Sequence, residues 1–149
     1  MRLSATREIE RPADDVFAFF ADASNNPKWQ KGQVSCEWVT PPPVEVGSVY
    51  QQEARFLGRR VLTRFEVIEH DPGRVIAINS VESSFPIRVR RTVEPLGPSR
   101  SRVTTDIHGE PGGFFRIVGP MLRWLAQRSV DADYDRLKRL LDSRETPKR

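Results

Sequence analysis

The feature that most constrains this chain is the alternation of apolar and polar residues between Tyr50 and Ile107, in runs separated by turn residues. A period of two is the signature of half-buried strands. The punctuation predicts how the runs pair. Leu57-Gly58-Arg59-Arg60 reads as a two-residue hairpin with glycine at its first central position, which sets Phe56 opposite Val61 and Gln52 opposite Phe65. Glu69 to Arg74 reads as a longer turn with Val67 opposite Ile76 and Phe65 against Ile78. Ser83-Ser84 as a tight turn sets Ser80 opposite Ile87 and Ile76 opposite Arg91. The loop from Pro95 to Ser101 sets Val93 opposite Val103 and Val89 opposite Ile107.

These registers agree with one another. One face collects Tyr50, Gln52, Ala54, Phe56, Val61, Thr63, Phe65, Val67, Ile76, Ile78, Ser80, Phe85, Ile87, Val89, Val93, Val103, Thr105 and Ile107. The other collects Glu53, Arg55, Arg64, Glu66, Asn79, Arg88, Arg90, Arg102, Thr104, Asp106 and His108. A slip of one residue would exchange the two sets, so burial specifies the register. The expected result is one antiparallel sheet with an apolar inner and a charged outer face.

Something must cover the inner face, and the segment from Gly113 to Leu141 is the one long stretch with helical periodicity. Phe114, Val118, Met121, Leu122, Leu125, Ser129, Ala132 and Leu140 fall on one side at about 100° per residue. Asp135 precedes Arg139 by four residues, the favourable order for a surface pair. Pro120 lacks an amide donor, so the helix either kinks there or begins at Gly119-Pro120.

The amino-terminal part completes the pattern. Leu3 to Ile9 alternates as a short strand. Pro12 introduces Ala13 to Asp22, a short helix with acids in its first turn, where they meet the positive end of the helix dipole. Asn25-Asn26-Pro27 is a turn signal, followed by Trp29 under a second helical turn, and Val34, Cys36 and Trp38 alternate as another strand that ends at Pro41-Pro42-Pro43.

At 149 residues the chain suits a single domain, residues 1–142, with a polar disordered tail at 143–149. The net charge is +4, from 24 Lys+Arg against 20 Asp+Glu, but the signs are interspersed, unlike a clustered phosphate-binding patch. This argues against nucleic acid as a partner. Cys36 is the single cysteine, which excludes an intramolecular disulfide. No apolar run reaches the length of a membrane span, so a soluble cytoplasmic protein without stable membrane insertion is expected, as monomer or homodimer. Two histidines without ligand spacing suggest no metal site, and no cofactor motif is present.

The run Ile9-Glu10-Arg11-Pro12-Ala13-Asp14-Asp15-Val16-Phe17, the following Ala21-Asp22 and Asn26-Pro27-Lys28-Trp29, Val46-Gly47-Ser48 before a strand, and the late Leu137-Lys138-Arg139-Leu140-Leu141 resemble the START-like (helix-grip, SRPBCC) superfamily. Within it they are most similar to the polyketide cyclase/dehydrase and lipid-transport branch. The resemblance covers nearly the whole chain and is most specific from Ile9 to Trp29. It implies an α+β helix-grip fold: a curved seven-stranded antiparallel sheet wrapped around a long C-terminal helix, with two short helices after strand 1. It also implies a cavity for a hydrophobic ligand between sheet and helix, a point on which periodicity is silent, since it does not distinguish a filled core from a hollow one.

The expected function is binding of a hydrophobic small molecule, a lipid, sterol or polyketide-like aromatic; the alternative is a cyclase or dehydratase acting on a bound aromatic polyketide intermediate. Whether the chain is an enzyme stays open, because no catalytic motif is identifiable. The expected ligand-binding residues are Tyr50, Gln52, Phe56, Thr63, Phe65, Ile78, Ser80, Val89, Arg91 and Thr105 from the sheet, with Val118, Met121, Leu122 and Leu125 from the helix. Arg91 stands out, because an arginine among Val67, Ile76 and Val93 must find an anion, a carbonyl, the surface, or an acid such as Glu66. For enolate chemistry, Tyr50 and Arg91 would be the donors and Glu82 the base. His70 is placed in a turn and His108 on the outer face.

Overall fold

The computed structural model describes residues 1–56, 58–81, 86–109 and 119–143. The expectations for Leu57, Glu82, the Ser83-Ser84 turn, Phe85, Gly113, Phe114, Val118 and the tail after Ser143 lie outside these residues, as does the Phe56 side chain.

Strand β1 (Arg2–Ile9) buries Leu3, Ala5 and Ile9 on one face. Helix α1 (Ala13–Ala21) starts after Pro12, whose carbonyl accepts the Val16 amide at 3.1 Å, and buries Val16, Phe17, Phe19 and Phe20. A short turn at Ala23–Asn25 leads into α2 (Asn26–Trp29). Asp22 holds this corner: its carboxylate accepts the Ser24 amide, the Ser24 hydroxyl and the indole N–H of Trp38. Strands β2 (Gln33–Trp38), β3 (Val49–Phe56), β4 (Arg59–Asp71), β5 (Val75–Val81), β6 (Ile87–Gly97) and β7 (Arg100–Gly109) follow, then helix α3 (Gly119–Ser143). The strands form a single curved antiparallel sheet in the order β1-β7-β6-β5-β4-β3-β2. This is the helix-grip architecture expected from the sequence.

The register agrees with expectation where the turns are simplest. Ile76 faces Arg91, Val93 faces Val103 and Val89 faces Ile107. The β3–β4 hairpin differs by two residues. Phe56 pairs with Arg59, and Gln52 with Thr63 rather than Phe65, because the hairpin closes directly around Gly58, which takes a φ of +76°. An even shift leaves every side chain on its expected face, and it sets Tyr50 opposite Phe65, whose rings stack at 5.4 Å. The β4–β5 pair is also shifted, with Val67 opposite Ile78 and Phe65 opposite Ser80.

A bulge between Val67 and Glu69 then inverts the parity of β4. The consequence corrects the placement of His70. It belongs to β4, opposite Ile76, and its ring lies 6.0 Å from that of Phe17 on α1.

On the outer face arginines are interleaved with acids: Arg90 with Glu69 at 2.9 Å, Arg102 with Glu94 at 2.7 Å and Arg100 with Glu8 at 2.6 Å. The inner face and α1 build the core, in which Ile9, Val16, Phe20, Trp29, Val67 and Val103 are fully enclosed.

Helix α3 closes against β1 and α2 with Leu137 and Leu141 at its far end, while the stripe through Met121, Leu125, Ser129 and Ala132 is not the side it turns inward. Tyr134, Leu137 and Leu141 are buried, with Val130 partly so, a spacing of i, i+4, i+7 and i+11. Met121 (68% exposed) and Leu125 (48%) face outward, as do Ser129 and Ala132. The stripe of Val130, Tyr134, Leu137 and Leu141 sets the phase of the helix, and polar ties along its flanks are compatible with that phase. Arg7 on β1 reaches Asp135 at 2.7 Å, Gln127 donates to the Ser4 carbonyl, Lys138 to the Glu8 carbonyl and Arg136 to the Trp29 carbonyl. Gly119 and Pro120 are the first described residues of α3.

Candidate functional site

The curvature of the sheet leaves a cavity of about 270 Å³ beneath α3. Its sheet wall is made by Tyr50 and Gln52 from β3, Phe65 from β4, Ile78 from β5, and Ile87, Val89 and Arg91 from β6. Leu3 and Ile107 contribute from β1 and β7. Trp29, Gln30 and Gln33 close the end near α2, and Ala126, Val130, Asp133 and Tyr134 form the helix wall. Most of this lining is apolar, and its polar groups gather where α2, β6 and α3 meet.

Arg91 is the centre of that polar end. It is 8% exposed; its Nε donates to the Tyr134 hydroxyl at 2.8 Å, and its guanidinium carbon lies 5.2 Å from the centre of the Trp29 ring. Trp29 in turn meets Tyr134 edge-on at 5.0 Å. Burial works against the guanidinium charge, but the facing oxygens of Tyr134 and Tyr50 more than offset it and hold Arg91 above the ordinary arginine value. It is a permanent cation. Glu66, considered as its partner from sequence, is not; the acceptor is Tyr134.

The neighbouring groups are tuned by the same burial. Tyr50 is buried, and loss of hydration pushes its phenol well above the ordinary tyrosine range, so it is a proton donor at any physiological pH. Burial also raises Asp133, against the Lys31 amide (3.2 Å) and Arg136 (2.9 Å), which favour its ionised form. Trp29 Nε1 and Gln30 Nε2 are buried without a hydrogen-bond partner among the described residues.

Of the residues expected from sequence, Tyr50, Gln52, Phe65, Ile78, Val89 and Arg91 meet at the cavity. Thr63, Ser80, Thr105, Met121, Leu122 and Leu125 are not part of its wall. Thr63 sits opposite Gln52 in the sheet but further along it. Ser80 spends its hydroxyl on the Ile87 amide at 2.9 Å, and Thr105 is fully enclosed opposite Arg91 in the β6–β7 pair. Sequence reading missed Trp29, Asp133 and Tyr134 as site residues. The one available signal was Tyr134 itself, an aromatic three residues before Leu137 in an otherwise charged half-helix.

Among the described residues no group of three His, Cys, Asp or Glu is placed to hold a metal ion, and no helix is long and apolar enough to cross a membrane.

The fold recurs in solved structures. A protein from Thermus thermophilus superposes with a TM-score of 0.81 at 20% identity, covering 95% of this chain and 97% of its own. A START superfamily protein from Mycobacterium smegmatis gives 0.78 at 17% identity, with 95% and 97% covered. The Zhui aromatase/cyclase from Streptomyces sp. R1128 gives 0.76 at 18% identity, with 95% and 93% covered. At such identities the likeness establishes the fold alone. No curated protein matches the chain significantly. The model of the family described as polyketide cyclase / dehydrase and lipid transport matches residues 1–142, practically the whole described structure, and the chain belongs to that family.

Proposed function

We propose that this protein binds a hydrophobic small molecule in the cavity between its sheet and α3. The observation that carries this reading is the cavity itself. Protein interiors are close-packed, and voids much larger than a water molecule are few. Here Trp29, Val67, Val103 and Leu137 are packed to complete burial, while about 270 Å³ stays unfilled between Phe65, Ile78, Val89 and Val130. That volume lies just below the ~300–1,000 Å³ of typical small-molecule sites, which favours a compact ligand over a full sterol. Tyr50, Gln52, Phe65, Ile78, Val89 and Arg91 would contact it.

Native mass spectrometry of gently purified protein, with thermal-shift screening of compact hydrophobic compounds, tests this. Ligands should raise the melting temperature by an amount that grows logarithmically with their concentration relative to Kd. Ile78→Trp, which fills the space, should fold and lose the shift; an unchanged shift in that variant would place binding elsewhere.

A second reading, cyclase or dehydratase chemistry, draws on Asp133. A carboxylate raised by burial beside a cation is suited to remove a proton next to a ketone, while Arg91 or the Tyr50 hydroxyl receives the enolate oxygen. The structural likeness to the Streptomyces aromatase/cyclase is in keeping with it. Turnover of a poly-β-ketone that is lost in Asp133→Asn, with binding retained, would support this reading; equal product with and without protein would exclude it.

A further inference from the structure

The cavity contains a charge that an apolar ligand alone would leave unanswered. The Arg91 guanidinium is over nine-tenths buried and lines the cavity, yet among the described residues only its Nε has an acceptor. Among the described residues no carboxylate comes within 4.0 Å of it, and Nη1 and Nη2 make no hydrogen bond. Asp133, the acid in the same wall, feels the Arg91 charge at a distance but makes no hydrogen bond to it, its carboxylate being engaged by the Lys31 amide and Arg136. Tyr50 and Cys36, which also face Arg91, are both held in their neutral forms by burial, and Tyr134 is the acceptor of its Nε.

The neighbourhood is also rich in donors. Trp29 Nε1 and Gln30 Nε2 have no acceptor among the described residues. A buried cation without a counter-ion is costly, whereas one that receives an anion in a dry site gains strongly. An arginine kept only as a brace would saturate its fork with carbonyls or an acid. This one is held by Tyr134 and the face of Trp29, with its Nε edge fixed and its two terminal nitrogens free, the arrangement that accepts two oxygens side by side.

We propose that the cavity selects an apolar molecule ending in a carboxylate, the two carboxylate oxygens received by Arg91 Nη1 and Nη2 and the apolar body lying against Phe65, Ile78, Val89 and Val130. This rests on the reading of the cavity as a ligand site and adds the chemical class of the ligand.

The test compares three probes of one ring system on the full chain at neutral pH and fixed salt: 2-naphthoic acid, its methyl ester and 2-naphthalenemethanol, each titrated calorimetrically. The acid should bind at least about tenfold more tightly than either neutral probe, the order expected for a charge-assisted pair. Arg91→Met, checked for a cooperative melt, should bind all three alike, and Arg91→Lys should restore part of the preference. Wild-type protein that binds ester and acid equally would overturn the carboxylate proposal while leaving the cavity reading intact. Binding of none of the three would overturn both. Should Arg91→Met not fold, the comparison of acid with ester on wild-type protein decides alone.

Discussion

Arg91 and Tyr134 lie 43 residues apart in the chain and meet at 2.8 Å, the arginine Nε donating to the phenol oxygen. This bond joins the middle of the sheet to the terminal helix across the edge of the cavity. It ties the position of α3 to the group that gives the cavity its charge.

Removing the acceptor should therefore be felt in stability. Tyr134→Phe keeps the edge-on contact with Trp29 but leaves a buried, charged N–H without a partner. Urea denaturation should show a loss of about 1.5–3 kcal/mol. A change below about 0.5 kcal/mol would mean that water or another acceptor replaces the phenol.

The two halves of α3 should respond very differently to truncation. Leu137 is completely buried, so Leu137→Ala should cost about 2–5 kcal/mol through lost burial and a residual void. Leu125 is exposed, and Leu125→Ala should stay within about 0.5 kcal/mol. Equal losses at the two sites would contradict the observed rotation of the helix.

Cys36 should be chemically silent in the folded protein. Burial pushes its thiol from 9.0 up to about 11, against the weaker opposing effects of the Asn26 amide and Arg91. At pH 8 it should fail to react with Ellman's reagent until the chain unfolds. The sign of the linkage follows from the raised value: between 9.0 and about 11 the folded state holds a proton that the unfolded state releases, so stability falls as pH rises through that window. Wild-type protein should lose more stability than Cys36→Ala between pH 8 and 11, and parallel pH curves would refute this.

Gly73, in the turn between β4 and β5, has a φ of +82°, and a Cβ there would meet Asp14 Oδ1 at 2.9 Å. Gly73→Ala should destabilise by about 1–2 kcal/mol from the backbone alone. Adding Asp14→Ala should recover only the part due to the contact. Full recovery in the double variant would show that the backbone strain is negligible.

The sheet was largely legible because its information is local and repetitive. The β5–β6 and β6–β7 registers follow from alternation and loop length, as Ile76 opposite Arg91 and Val93 opposite Val103 illustrate. The β3–β4 register missed by two because a loop containing glycine can close one residue earlier without altering which face is buried. The bulge after Val67 was not legible at all: no composition signal marks it, yet it turns His70 toward Phe17.

The site was legible only on the sheet side. Sequence by itself determined which strand faces turn inward, since a period of two forces apolar residues to one side, and it singled out Arg91 as a charge on that side. Tertiary structure alone decided what answers the charge. Trp29 and Tyr134 come from helices that share no periodicity with the sheet, and the rotation of α3 that buries Tyr134, Leu137 and Leu141 is accompanied by ties such as Arg7 to Asp135 and Lys138 to the Glu8 carbonyl. A one-dimensional pattern fixes the phase of each element separately; the angle at which one element meets another depends on side-chain contacts between residues more than 100 positions apart, such as Arg7 and Asp135.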